Sequence, residues 1–195
     1  MAQLRLEDIA DLRAYERERA AFRAHVIDLK SRRRVHLGTL LSLVFECRDT
    51  VRFQIQEMAR VERILDDEAI QTELDIYNVL LPADGELSAT LFIECTTHDQ
   101  MREWFPKLVG IEHELELRVA GVTLARSYPE AGHTAQLTRA EITSAVHYVR
   151  FRVGAKHVAD FAAGPVVLAS THPAYQEEVA LGPATRAELA IDLTS

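Results

Sequence analysis

Apolar residues recur at helical spacing through the first third of the chain and at every second position through much of the remainder. Leu12, Tyr15, Arg19, Phe22, Val26 and Leu29 mark one face of a long helix over about 7–30. Arg19 breaks that stripe, so its aliphatic stem should cover the edge of the core while its charge reaches solvent or a carboxylate. Leu40 to Phe45 is a dense apolar run, the pattern of a well-buried strand. A helix over 50–65 follows, capped by Asp49 or Thr50, with Val51, Ile55, Met58 and Leu65 on its apolar side. Asp66 suits the cap of the next helix, 67–80, where Ile70, Leu74, Tyr77 and Leu81 line one side. Leu81-Pro82-Ala83-Asp84-Gly85 stops it and turns the chain into a strand over Leu87 to Cys95. Thr97 and Gln100 then fit a capping box for a short helix reaching about Leu108.

The pattern beyond residue 110 is strand-heavy. Ile111, His113, Leu115, Leu117 and Val119 alternate with Glu112, Glu114, Glu116 and Arg118, which predicts a hairpin over 112–126 with a wet, charged face. Residues 128–137 are turn-rich, and Thr138 with Glu141 suits a helical cap. A strand over 143–153 follows, then a strand at 157–161, an apolar strand at 165–170, a short helix at 174–180 and a terminal strand at 186–193. The sum is an α+β fold, with N-terminal helices packed on a mixed β-sheet and a strand-rich C-terminal half. The length fits one domain over 1–195, and the only candidate subdivision falls near 127–138.

One echo carries candidate chemistry. Leu43-Val44-Phe45-Glu46-Cys47 and Leu91-Phe92-Ile93-Glu94-Cys95 each end a strand on Glu-Cys, with a helix cap close behind. If the strands paired in parallel and in register, Glu46 and Glu94 would share one face and Cys47 and Cys95 the other. If the two helices that carry Glu57 and Glu73 are antiparallel neighbours, these two would complete a constellation of Glu46, Glu57, Glu73 and Glu94, with His98 as a nitrogen donor. Such an oxygen-rich set suits a divalent cation such as magnesium, manganese or iron. The same residues also fit an internal network of Arg60, glutamate and glutamine, and both readings stay open at this point. Arg33, Arg34, Gln54, Glu57, Arg60 and Tyr77 are the candidate ligand-binding residues, because they present amides, charges and a hydroxyl on adjoining elements.

Charge and motif content narrow the classes. The net charge is −8, from 22 basic and 30 acidic side chains, which argues against general nucleic-acid binding. The basic groups concentrate early, and Lys30, Arg32, Arg33, Arg34 and His36 form the one basic cluster, fitting either a solvated connection or an anion site. Neither GxGxxG nor GxxxxGK[ST] occurs beside it. Serines lack a G-x-S-x-G setting, and the eight histidines show no HExxH. The two cysteines, Cys47 and Cys95, form no metal-binding pair and suit a reducing compartment, so a cytoplasmic location is expected and no iron–sulfur cluster. No secretory signal and no membrane-length apolar run is legible, so no membrane association is expected.

The sequence resembles a bacterial domain-of-unknown-function family. The resemblance rests on Tyr15, Arg19 and Phe22-Arg23, then Lys30, Arg33-Arg34-Val35 and Leu37-Gly38. It continues through Phe45-Glu46 to Thr50, Gln54-Ile55-Gln56-Glu57-Met58, Arg60, Glu62, Glu73-Leu74, Tyr77-Asn78, Leu81-Pro82 and Ile93-Glu94. Members are often encoded near rubrerythrin-like proteins and iron–sulfur oxidoreductases, which implies an accessory role in redox or stress metabolism and a redox-protein partner. It implies no catalytic residues. Two functions follow as expectations. The first is an accessory or partner-binding protein, acting as a homodimer because cyclic dimers are the commonest assemblies. The second is a metal- or small-ligand-dependent enzyme built on the glutamates, so whether the chain is an enzyme stays open.

Overall fold

A computed structural model describes residues 1–130 and 142–194. A 3-10 turn, Leu6–Asp8, leads into α1 (Leu12–Arg33), whose first turn is closed by the Asp11 carboxylate accepting from the Ala14 N–H at 2.9 Å. β1 (Arg34–Leu37) follows without a linker, and β2 (Leu41–Phe45) returns beside it. Then come α2 (Arg48–Glu62), α3 (Asp67–Tyr77), β3 (Glu86–Ile93) and α4 (His98–Trp104). The caps predicted at Asp66 and at Thr97 form, with Asp66 accepting from Ala69 N–H and Thr97 and Gln100 closing a capping box. In contrast, α2 is capped by Cys47 and not by Asp49 or Thr50, and the Thr50 hydroxyl accepts from the Cys47 N–H at 2.9 Å. β4 (Leu115–Val119) and β5 (Val122–Pro129) make the expected hairpin. The chain ends with β6 (Val146–Arg152), α5 (Ala155–Ala163), β7 (Val166–Ser170), β8 (Glu178–Ala180) and α6 (Pro183–Thr194).

Among the described residues, eight strands form one sheet in the order β1-β2-β3-β6-β5-β4-β7-β8, and each of their pairings is antiparallel. The expected α+β fold with a strand-rich second half is therefore present, but the sheet is antiparallel throughout rather than mixed. The sheet curls until its two edges meet. Tyr175, ahead of β8, donates its hydroxyl to the Leu37 carbonyl at 2.9 Å and accepts from the Leu40 N–H at 3.0 Å. Leu43, Phe45, Leu91, Leu117, Phe151 and Leu168 fill the interior of this incompletely closed barrel, each fully buried. Leu189 and Leu193, one turn apart on α6, join the same core.

The turn between β1 and β2 depends on Gly38, which has φ +62. A Cβ there would collide with the Tyr175 hydroxyl and come within 2.8 Å of the Glu177 side chain. Gly38→Ala should therefore cost about 2 kcal/mol, the sum of left-handed strain and displacement of Tyr175. Urea unfolding measures it, and a loss below about 0.5 kcal/mol would mean that the edges meet without help from this turn.

Three late elements differ from the sequence reading. Residues 157–161 lie in helix α5, where Val158 and Phe161 stand three apart and Phe161 is fully buried. Over five residues that spacing could not be told from alternation. Residues 174–180 run through an irregular segment into β8, which pairs with β7. The expected strand at 186–193 is helix α6, opened by Pro183 at its first position, where proline's fixed φ suits a helix start. The hairpin's charged face is wet only in part, with Arg126 exposed. Glu112 and Glu116 are buried, and Glu116 is held by Arg118 and Arg126, each at 2.7 Å. The Thr138–Glu141 cap and most of the turn-rich stretch 128–137 lie outside the described residues.

Candidate functional site

Helices α1, α2 and α3 lie against the outer surface of the barrel wall, where β1, β2, β3 and β6 run side by side. Their register places Arg34, Val44, Thr90 and Tyr148 in one cross-strand row, and His36, Ser42, Phe92 and Val146 in the next. Strand alternation turns these side chains away from the apolar interior. Lys30 comes from the last turns of α1 and Gln54 from α2. Together with Glu46, just past the end of β2, they enclose a cavity of about 260 Å³.

Glu46 is the chemically unusual member. It is 4% exposed, and its two carboxylate oxygens accept from the Thr90 hydroxyl at 2.6 Å and the Thr50 hydroxyl at 2.5 Å. No cation pairs with it among the described residues. Buried carboxylates are ordinarily paired with a cation, and two neutral hydroxyls offset only part of the lost hydration. Lys30 and Gln54 are half-buried at the same cavity, and among the described residues neither forms a hydrogen bond or ion pair. Arg34 donates to the Ser42 hydroxyl at 3.0 Å and to Glu94 at 3.3 Å, and its guanidinium sits 5.5 Å over the Phe92 ring. Burial, then the neighbouring Tyr77 and Glu46, raises the Tyr148 pKa above that of an ordinary phenol, so the hydroxyl stays protonated. The cavity thus holds an ammonium, an amide, a carboxylate and a phenol around an apolar strip of Val44, Phe92 and Val146. It can orient a small polar molecule and exchange a proton with it.

Two larger grooves are open to solvent. About 500 Å³ beside β7 and β8 is lined by Arg118, Thr171, Glu177 and Glu178, among others, and Arg118 is already paired with Glu116. About 680 Å³ runs under the N-terminal segment, where Arg48 pairs with Asp8 at 2.5 Å and bonds the carbonyls of Ala2 and Gln3.

Of the residues singled out in sequence, Lys30, Arg34, Gln54 and Glu46 meet at the cavity. Tyr77 lies behind it, in the small apolar cluster that also contains Leu74 and touches Tyr148. Arg33, Glu57 and Arg60 are committed elsewhere. Arg33 is buried against Asp192, while Glu57 receives Arg19 at 2.7 Å, the Tyr15 hydroxyl at 2.8 Å and Arg60 at 3.3 Å. The glutamate constellation does not assemble. β2 and β3 are antiparallel, so Glu94 stands opposite Leu40 and Glu46 opposite Ser88. The two lie on one face but about 20 Å apart at roughly 3.3 Å per residue. Glu57 faces α1, and Glu73, whose pKa is raised by burial and by Glu62, belongs to none of these groups. Among the described residues no three of His, Cys, Asp or Glu are placed to hold a metal ion.

The basic run does not act as one unit. Helix α1 continues through Arg33 and β1 begins at Arg34, so consecutive arginines diverge. Arg32 bonds Glu188 and Asp28, Arg33 bonds Asp192, and Arg34 reaches Glu94. Arg48 and Arg52 pair with Asp8 and Glu18. Sequence reasoning left out Thr90, Phe92, Val146 and Tyr148. Tyr148 was findable, since alternation against Val149 and Phe151 turns it to the outer face.

A curled antiparallel sheet with helices on its outer wall and a polar cavity between them defines a helix-flanked, incompletely closed barrel. The chain belongs to the family described as protein of unknown function (DUF3501), whose model matches residues 3–193. It is similar to a crystal structure described as a novel protein of unknown function from Burkholderia pseudomallei K96243, with 38% identity and a TM-score of 0.89, covering 98% of this chain and 100% of that one. No curated protein matches. Lys30, Arg34, Glu46 and Gln54 all fall in the stretches that carry the family resemblance. No helix among the described residues is long and apolar enough to cross a membrane.

Proposed function

We propose that this chain binds a small anionic ligand in the cavity between α1, α2 and the β1-β2-β3-β6 wall. The observation that carries this is Lys30, an ammonium at a cavity wall with no protein partner among the described residues, beside the Arg34 guanidinium and the unpaired Gln54 amide. A half-buried cation such as Lys30 gains most when an anion replaces the lost hydration, and Arg34 beside it keeps N–H donors beyond those it gives to Ser42 and Glu94. Glu46 and the Tyr148 hydroxyl are the groups that would exchange a proton if the ligand is also a substrate. The accessory role in redox or stress metabolism implied by the resemblance fits a ligand-binding protein serving a redox partner. On this reading the chain works in the cytoplasm, where Cys47 and Cys95, both free thiols, stay reduced. It does so as a homodimer.

Lys30→Met keeps the aliphatic stem and removes the charge. It should weaken binding of small carboxylates and phosphate by roughly 10- to 100-fold, the size of one charge-assisted hydrogen bond. Calorimetry of wild type and variant with acetate, propionate and inorganic phosphate reads this directly. Equal affinities for the two proteins would remove the cavity from consideration as the anion site.

A further inference from the structure

Resting on that reading, we infer that the ligand is a zwitterion of amino-acid size, with its acid group at Lys30 and Arg34 and its ammonium at Glu46. The two charged ends of the cavity carry opposite signs and do not meet. Lys30 has no partner among the described residues, and Glu46 is 4% exposed with only neutral hydroxyl donors, Thr50 and Thr90. Each carboxylate oxygen keeps a lone pair beyond the one its hydroxyl uses. A simple anion placed here would gain from Lys30 and lose to Glu46, and a simple amine would do the reverse. A molecule carrying both charges gains at both ends, and its ammonium supplies the cationic partner that a buried carboxylate ordinarily has.

Size and wall chemistry limit the class further. At about 260 Å³ the cavity falls below the range for drug-sized ligands, roughly 300–1,000 Å³. Val44, Phe92 and Val146 give the floor an apolar strip for a short carbon skeleton, and the Gln54 amide can donate to the acid group or accept from the ammonium. The Tyr148 phenol lies one position from Val146's row, beside Thr90, and adds a protonated hydroxyl at the Glu46 end.

The test compares matched trios by calorimetry near neutral pH with wild-type protein: L-alanine, β-alanine and γ-aminobutyrate, each against its deaminated acid and its decarboxylated amine. At least one zwitterion should bind about tenfold tighter than its acid or its amine, the worth of one added charge-assisted contact. E46Q should then shrink the gap between zwitterion and acid to under about threefold. If the acids bind as tightly as the zwitterions, the inference falls while the anion-site reading stands. If neither class binds, both fall. The comparison of ligands on wild-type protein decides between these outcomes by itself, whether or not E46Q folds.

Discussion

Arg33→Ala should destabilise the protein by about 3–5 kcal/mol, the cost of leaving one member of a buried ion pair uncompensated. Arg33 sits in the last turn of α1 with 4% of its side chain exposed, and Asp192 on α6 is equally buried. The pair is bidentate, Nη1 to Oδ2 at 2.7 Å and Nη2 to Oδ1 at 3.0 Å, and Glu188 adds a second carboxylate at 3.5 Å. Burial works against the arginine's charge, and the Asp192 hydrogen bonds outweigh it, so the pKa is raised. This contact ties the first helix to the last. For a chain of this length the loss corresponds to a Tm decrease of roughly 10 °C. Replacing both partners by apolar residues, Arg33→Met with Asp192→Leu, should recover most of it, because no orphaned charge remains. A single variant within about 1 kcal/mol of wild type would show that the pair is solvated in practice.

Glu57→Gln should cost about 2 kcal/mol at neutral pH, and the loss should vanish in acid. The Arg19 hydrogen bonds, against a cost of burial and with help from Tyr15 and Arg60, hold the Glu57 carboxyl at about 2 rather than 4.5. A carboxyl lowered on folding stabilises the native state above its unfolded pKa. That stabilisation drains away as pH falls from 4.5 through about 2. The full linkage is discounted because 24% of the side chain is exposed. His147 contributes in a different window. Burial lowers its pKa from 6.5, opposed by Glu112, so its contribution is lost as pH falls below that unfolded value. Urea midpoints of wild type and variant at pH 7, 5 and 3 separate the two effects. A deficit in the Glu57 variant that stays constant across that series would mean that the network acts through packing and not through charge.

Much of the helical architecture was legible. Asp66, Thr97 and Gln100 identify helix starts because capping is a local exchange between one side chain and the next turn's N–H groups. Arg19 also behaves as its position in an apolar stripe suggested, its stem at the core edge and its charge on a carboxylate. The C-terminal quarter was misread because its elements are short. Phe161 and Leu189 satisfy a helical stripe or an alternating one over five to eight residues, and only their place in the barrel core decides between them.

Local sequence therefore determined most elements of the first half (though not strand β1), the strand-rich character of the second, and the shared face of Glu46 and Glu94. The tertiary structure alone decided the pairing direction of β2 and β3, which separates Glu46 from Glu94 and dissolves the expected glutamate cluster. It also decided the fates of Arg32, Arg33 and Arg34, adjacent in sequence but sent to separate partners by a helix-to-strand switch. The cavity that joins Lys30, Gln54, Glu46 and Tyr148 arises because the sheet curls and two helices cross its outside, bringing together residues over a hundred positions apart. Periodicity along the chain reports which face a residue occupies, while what stands opposite that face is set by long-range packing.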